Sequence, residues 1–229
     1  AHFGMQRLNS GACRTGIKAL LEVAAKNPSS LTFRDLGFTI GPRINAAGRM
    51  ESGLRAVELL RSKKAEAQLE LAQKIQQFNK ERREVQKEMF DQAKELLDQE
   101  NHTFSNVLYH QNWHKGVVGI VASKVLEMRY RPTIVLTKSG DTLAGSARSV
   151  TDFDLYEALT ACEKHLIQFG GHKYAAGMTL HESQLPHFKK AFELYCQKNL
   201  QPEQLEQNLY YDAPAHLSQF TPRFYEILK

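Results

Sequence analysis

FSNVLYHQNWHKGVVGIVASKVLEMRYRPTIVLTKSGDTLAGSA, residues 104–147, is the stretch that decides the fold. Residues 104–109 read as a strand, 117–128 as a helix, and 133–137, the run TIVLT, as a second strand. KSGD at 138–141 is a hairpin turn, because Gly140 takes positive φ without steric cost, and 142–147 returns as a third strand. Further along, 154–169 is expected as a helix, 175–180 as a strand and 183–199 as a final helix. The fold class is therefore α/β with a mixed sheet.

Upstream, residues 64–100 contain neither Pro nor Gly and are rich in Ala, Leu, Glu, Lys and Gln, which predicts one long helix of roughly 50 Å. Leu71, Ile75, Phe78, Arg82, Val85, Met89, Gln92 and Leu96 recur at alternating steps of four and three, a narrow seam interrupted by two polar residues. Such a helix either docks along its own chain or self-associates as a coiled coil. Before it, Ile17, Leu20, Leu21 and Ala24 keep helical spacing, and Pro28 with its serines ends that helix. A short helix is expected near Thr32 and another across Ala56 and Leu60. Between them GPRINAAGRMES reads as a loop, with Gly41 and Pro42 marking a break. The division expected is 1–63 helical linker region, 64–100 connecting helix, 101–200 α/β domain and 201–229 tail. The tail, with Pro202, Pro214 and Pro222 and the closing run FYEILK, is expected to lead toward a further domain.

The 229 residues are 42% apolar and 24% charged, which excludes a disordered, collagen-like or disulfide-scaffold chain. No apolar run is long enough to span a membrane and the start lacks a signal-peptide core, so a cytoplasmic protein with no membrane partner is expected. Cys13, Cys162 and Cys196 form no CxxC pair and read as thiols. A net charge of +5 mildly favours a polyanionic partner. There is no GxxxxGK[ST], HExxH or GxSxG. Cys162 and His165 have C-x-x-H spacing, with His172 beyond, but lack a fourth ligand, so no metal site is expected in the chain.

Three small-residue stretches carry candidate chemistry. In GSARS, Ser146 and Arg148 share one face of a strand, so a hydroxyl and a guanidinium fork can grip one anion, with Ser149 next to them. In FGGHKYAAG, Gly170, Gly171 and the following alanines leave almost no bulk around His172, so the backbone can press against a ligand. In GPRINAAGRM, Arg43, Asn45 and Arg49 surround small residues. Trp113 and His114 stand at the entrance to the 117–128 helix, where the indole either stacks on a base or anchors the core, and Gly116 with Gly119 fits close helix-on-sheet packing.

GPRINAAGRM, WHKGVVGIVASKVLEMRYRPTIVL, GSARS and FGGHKYAAG, in that order, resemble the RecJ family of the DHH phosphoesterase superfamily, as do RTGIKALLEVA and DLGFTIGPRINAAGRM. The resemblance implies a 5′–3′ exonuclease specific for single-stranded DNA, serving repair and recombination. It also implies that 101–200 is a DHH-associated domain. The resemblance implies a preceding domain whose DxD and DHH signatures hold two Mn2+ or Mg2+ ions; no DHH string occurs here, so the chain is expected to be an inactive middle part preceding an OB-like domain. By the resemblance, Ser146 and Arg148 grip the terminal 5′ phosphate, and Arg49, with Arg43 and Asn45, lines the same cleft. His172, with Gly170 and Gly171, closes over the scissile nucleotide as the catalytic histidine. The partners implied are single-stranded DNA, single-strand-binding protein and a RecQ-type helicase. Rival readings are a DHH phosphoesterase acting on short oligonucleotides or nucleotide phosphates, and a non-catalytic nucleic-acid-binding module.

Overall fold

The computed structural model describes residues 2–99, 103–209 and 211–228; the expected junction at 100–101 lies outside them. In chain order the helices are α1 (His2–Asn9), α2 (Thr15–Val23), α3 (Phe33–Asp35), α4 (Gly41–Met50), α5 (Leu54–Arg61), α6 (Ala65–Gln99), α7 (Val118–Met128), α8 (Leu155–Ala161), α9 (Leu185–Asn199) and α10 (Pro222–Leu228). The strands are β1 (Asn106–Tyr109), β2 (Thr133–Ser139), β3 (Thr142–Arg148), β4 (Gln168–His172) and β5 (Ala175–Leu180).

The amino-terminal helices form a layer on the first half of α6. Leu20 and Leu21 of α2, Ala47 of α4 and Leu59 of α5 close over Ala72 and Ile75 of α6. GPRINAAGRM is a helix, α4, where a loop was expected. Pro42 falls in the first turn, where an amide N–H has no intrahelical acceptor to lose, so it starts the helix instead of breaking it. Ala46 and Ala47, fully buried, let α4 lie close along α6.

α6 runs 35 residues, about 52 Å at 1.5 Å per residue, and docks along its own chain. Its buried line is Gln68, Ala72, Ile75, Asn79, Met89, Ala93 and Leu97. The expected seam is corrected by one position over much of its length. Leu71, Phe78, Val85 and Leu96 are only half-buried flanks, because the neighbouring helices approach closest where the side chains are small.

The sheet order is β1-β2-β3-β5-β4, with β1 and β2 parallel across the α7 crossover and every other pair antiparallel. Gly140 turns the β2–β3 hairpin at φ 62°. One face, carrying Ile134, Leu136, Leu143, Ala147, Ala176 and Met178, packs on α8 and α9 through Leu155, Leu159, Phe188 and Phe192. On the opposite face, Leu108 and Val135 pack on α7 and the second half of α6 through Val121, Met89 and Ala93.

The helix expected over 154–169 ends at Ala161. Leu155, Ala158, Leu159 and Cys162 are the last buried positions at helical spacing. After a 3-10 turn, residues 168–172 take up the two-residue alternation of an edge strand, so FGGH is β4 and not a loop. The tail forms two 3-10 turns and α10, and none of its described residues is buried. No helix among the described residues is long and apolar enough to cross a membrane.

Candidate functional site

The second sheet face is only partly covered. Register aligns Arg148 with Ala175 and Ala175 with His172, and Ser146 with Gly177 and Gly177 with Gly170. Directly paired residues project to the same side, so Ser146, Arg148 and His172 share a face floored by Gly177, Ala175 and Gly170. Gly170, Gly177 and His172 are exposed. A Cβ at Gly170 would touch nothing within 4 Å, so the glycines form a bare platform over β5 and β4. A shallow hollow of about 260 Å3 lies along Gln168, Gly170, Gly177 and Thr179. Gly171 is needed for another reason: at φ 154° its Cβ would run into the Ala175 carbonyl and Ala176.

Arg148 and Ser146 bound this platform. Arg148 Nη1 donates to Ser146 Oγ at 3.0 Å and to the Ala147 carbonyl at 2.7 Å, which fixes the guanidinium plane. Ser146 accepts from the arginine, so its own hydroxyl proton is available to a ligand oxygen. Burial, followed by the like charge of Arg49, holds the Arg148 pKa below its usual value. Two like charges held near one another favour any anion placed between them.

Arg49 arrives from α4. Its Nη1 donates to the Gly116 carbonyl at 3.0 Å, and Asn45 lies exposed one turn earlier on the same helix face. A Cβ at Gly116 would run into the Arg49 carbonyl, so only glycine lets the end of α4 meet the start of α7. A Cβ at Gly119 would stand 3.0 Å from Ser146 Oγ and 3.1 Å from Arg148 Nη2. The two glycines therefore set both arginines. His172 Nδ1 accepts the Tyr174 N–H at 3.2 Å, which leaves Nε2 as the ring nitrogen that can donate.

Four of the residues singled out from the sequence lie elsewhere or are already engaged. Arg43 sits about 240° around α4 from Arg49 and binds the Thr39 carbonyl and Gln76 Oε1, each at 2.7 Å, so it turns toward α6. Trp113 is 4% exposed and gives its Nε1–H to Gln92 Oε1 at 2.7 Å; it anchors the core and offers no face to a base. Ser149 Oγ donates to the Phe153 carbonyl at 2.8 Å, closing a turn. His114 Nδ1 accepts from the Gly116 N–H at 3.1 Å and closes the turn before α7. Arg82 is a residue the sequence reading missed. It entered only as an interruption of the α6 seam, yet a half-buried arginine at a seam position, followed by Arg83, is itself a signal of a charged ligand nearby.

The divalent ion implied by the resemblance finds no donor set here. Among the described residues no three His, Cys, Asp or Glu side chains converge. Cys162 is buried and its thiol is pushed up to about 11, which keeps it protonated. His165 pairs with Gln184 at 3.0 Å.

Residues 101–198 match the DHHA1 domain family. The chain is 35% identical over 236 residues to the single-stranded-DNA-specific exonuclease RecJ of Salmonella typhimurium, covering 99% of this chain and 41% of that protein. It is 37% identical over 206 residues to the protein of the same name from Bacillus subtilis, covering 89% of this chain and 26% of that protein. The crystal structure of RecJ in complex with Mn2+ from Thermus thermophilus superposes with a TM-score of 0.76 at 30% identity, covering 87% of this chain and 29% of that one. The chain thus spans about two fifths or less of the length of these relatives.

Proposed function

Since the chain belongs to the RecJ family, with a DHHA1 domain at 101–198, we propose that it is the part of a single-stranded-DNA exonuclease that captures the 5′ end of the strand. The observation that carries this is the convergence of Arg148, Ser146 and Arg49 at the edge of a bare glycine platform that also holds His172.

A terminal phosphate carries more charge and more free oxygens than an internal one. A pocket with two guanidinium groups and a hydroxyl donor therefore prefers the end of a strand to its middle. Holding that end fixes which phosphodiester lies next on the platform, so a binding preference becomes a 5′–3′ direction of cutting. Gly170 and Gly177 let the sugar–phosphate chain lie flat on the sheet. His172, held by Tyr174, directs Nε2–H at a phosphoryl oxygen and stabilises charge developing there.

Relatives have been crystallised with Mg2+ or Mn2+. In this proposal such ions are held by donors outside the present chain, which binds DNA and hydrolyses nothing alone. Single-strand-binding protein and a RecQ-type helicase are proposed partners of the whole enzyme.

The test is fluorescence anisotropy of the chain with matched single strands ending in a 5′ phosphate or a 5′ hydroxyl. The phosphorylated strand should bind tighter by roughly tenfold or more, the worth of one charge-assisted hydrogen bond, and Arg148→Ala should abolish the difference. Equal affinity of the unsubstituted chain for both ends would refute the reading.

A further inference from the structure

Between α4 and α6 lies a second concavity of about 370 Å3, lined by Arg43, Gln76, Asn79, Lys80, Arg83, Glu84 and Lys87. Gln76, Lys80, Arg83 and Lys87 are spaced by four, three and four residues, so they form a single stripe along α6. Four cations face one carboxylate, Glu84, whose only ion pair among the described residues is with Lys80, at 4.0 Å. Among the described residues, Arg43, Arg49, Arg82, Arg83, Lys87 and Arg148 form no ion pair with a carboxylate.

These cations also crowd one another. The Arg43 pKa is lowered by burial and then by Arg83; that of Arg82 by burial and then by Arg83 and Arg49; that of Arg148 by burial and then by Arg49. The same pairs of neighbours trace an unbroken succession from the sheet pocket to the groove: Arg148, Arg49, Arg82, Arg83, Arg43. The guanidinium groups are held in place by neutral acceptors: Arg82 by Asn79 Oδ1 and Gln86 Oε1, each at 2.8 Å, and Arg43 by Thr39 and Gln76. Like charges held near one another oppose folding, and among the described residues no carboxylate pairs with these five guanidinium groups. An external polyanion would offset them.

We propose that the groove between α4 and α6 is a second nucleic-acid site, taking the sugar–phosphate backbone of the strand several nucleotides behind the end held at Arg148. The proposal depends on the 5′-phosphate reading only for which end of the strand leads. Lys80, Arg83 and Lys87 are exposed and present point charges to successive phosphates without reading bases. The groove thus contributes affinity that grows with strand length, while the pocket contributes preference for the end.

Anisotropy with oligothymidylates of about four and about sixteen nucleotides, each with a 5′ phosphate or a 5′ hydroxyl, separates the two sites. The double variant Arg83→Gln/Lys87→Gln should weaken the longer oligomer roughly tenfold at low salt, whatever its end. It should also flatten the slope of log affinity against log salt by about 1.4, the change expected when two phosphates of a single strand are no longer neutralised, and leave the short oligomer's end preference intact. Arg148→Ala should do the reverse. Glu84→Gln, which removes the groove's carboxylate, should tighten binding of the longer oligomer, a gain that misfolding cannot produce. Lys190→Gln, exposed on α9, is the control for general charge loss. Unchanged affinity and salt slope in the double variant, or equal loss in Lys190→Gln, would overturn the proposal. Loss of long-oligomer binding in the double variant of a chain that shows no end preference would support the groove and defeat the 5′-phosphate reading.

Discussion

Trp113 has the ring that a sequence reader would most readily lend to a DNA base, and its burial decides otherwise. Its indole packs among Val117, Val121, Met89 and Ala93, with Nε1–H satisfied by Gln92. Trp113→Ala should therefore lower the unfolding free energy by about 3–5 kcal/mol, read by chemical denaturation. Below the melting transition it should leave the preference for a 5′ phosphate intact; loss of that preference in the folded variant would speak for direct contact with DNA. Ser146 and Arg148 were legible as a pair because two-residue spacing on a strand is a local rule. Arg43 and Arg49 were not separable, since a stretch read as a loop has no defined faces. Once α4 is a helix, six positions put the two arginines on different sides.

At the scale of the element, two glycines of the α7 region govern how the arginines meet. A methyl group at Gly119 would press on the side-chain ends of Ser146 and Arg148, which, unlike backbone, can yield by a few tenths of an ångström. Gly119→Ala should thus keep the fold and reduce the 5′-phosphate preference several-fold, by about 1 kcal/mol. At Gly116 the obstacle is the backbone carbonyl of Arg49, which cannot yield without parting α4 from α7. Gly116→Ala should cost about 1–3 kcal/mol of stability, measured as a lower melting temperature, as well as weaken end recognition. A Gly119→Ala variant with wild-type end preference would remove Gly119 from this account. The sequence suggested close packing at both glycines but not against what, because a small residue records only that something approaches. For α6 it foretold the existence and length of the helix. The buried line moved by one position because alanine, weak in any apolar pattern, is what close neighbours select.

For the whole molecule, α6 joins the two halves: its first part completes the helical layer and its second part covers one face of the sheet. A fragment of residues 101–200 would therefore leave Leu108, Val121 and Val135 without Met89, Ala93 and Leu97, and Trp113 without its acceptor. It should melt lower and bind a hydrophobic dye, whereas a fragment beginning at residue 84 should recover a cooperative transition; equal melting of the two would show that the cover is dispensable. By itself the sequence determined the α/β class, the crossover helix, the hairpin at Gly140 and the shared face of Ser146 and Arg148. All of these follow from periodicity and turn chemistry within a short window of chain. Only the tertiary structure decided that Arg49 comes near Arg148, that Trp113 is withdrawn from the surface, that Gly170 and Gly177 are left bare on the sheet, and that arginines from three elements line up toward a groove. Those outcomes depend on which helix faces come together across long stretches of chain, and packing between distant segments is written in no local pattern.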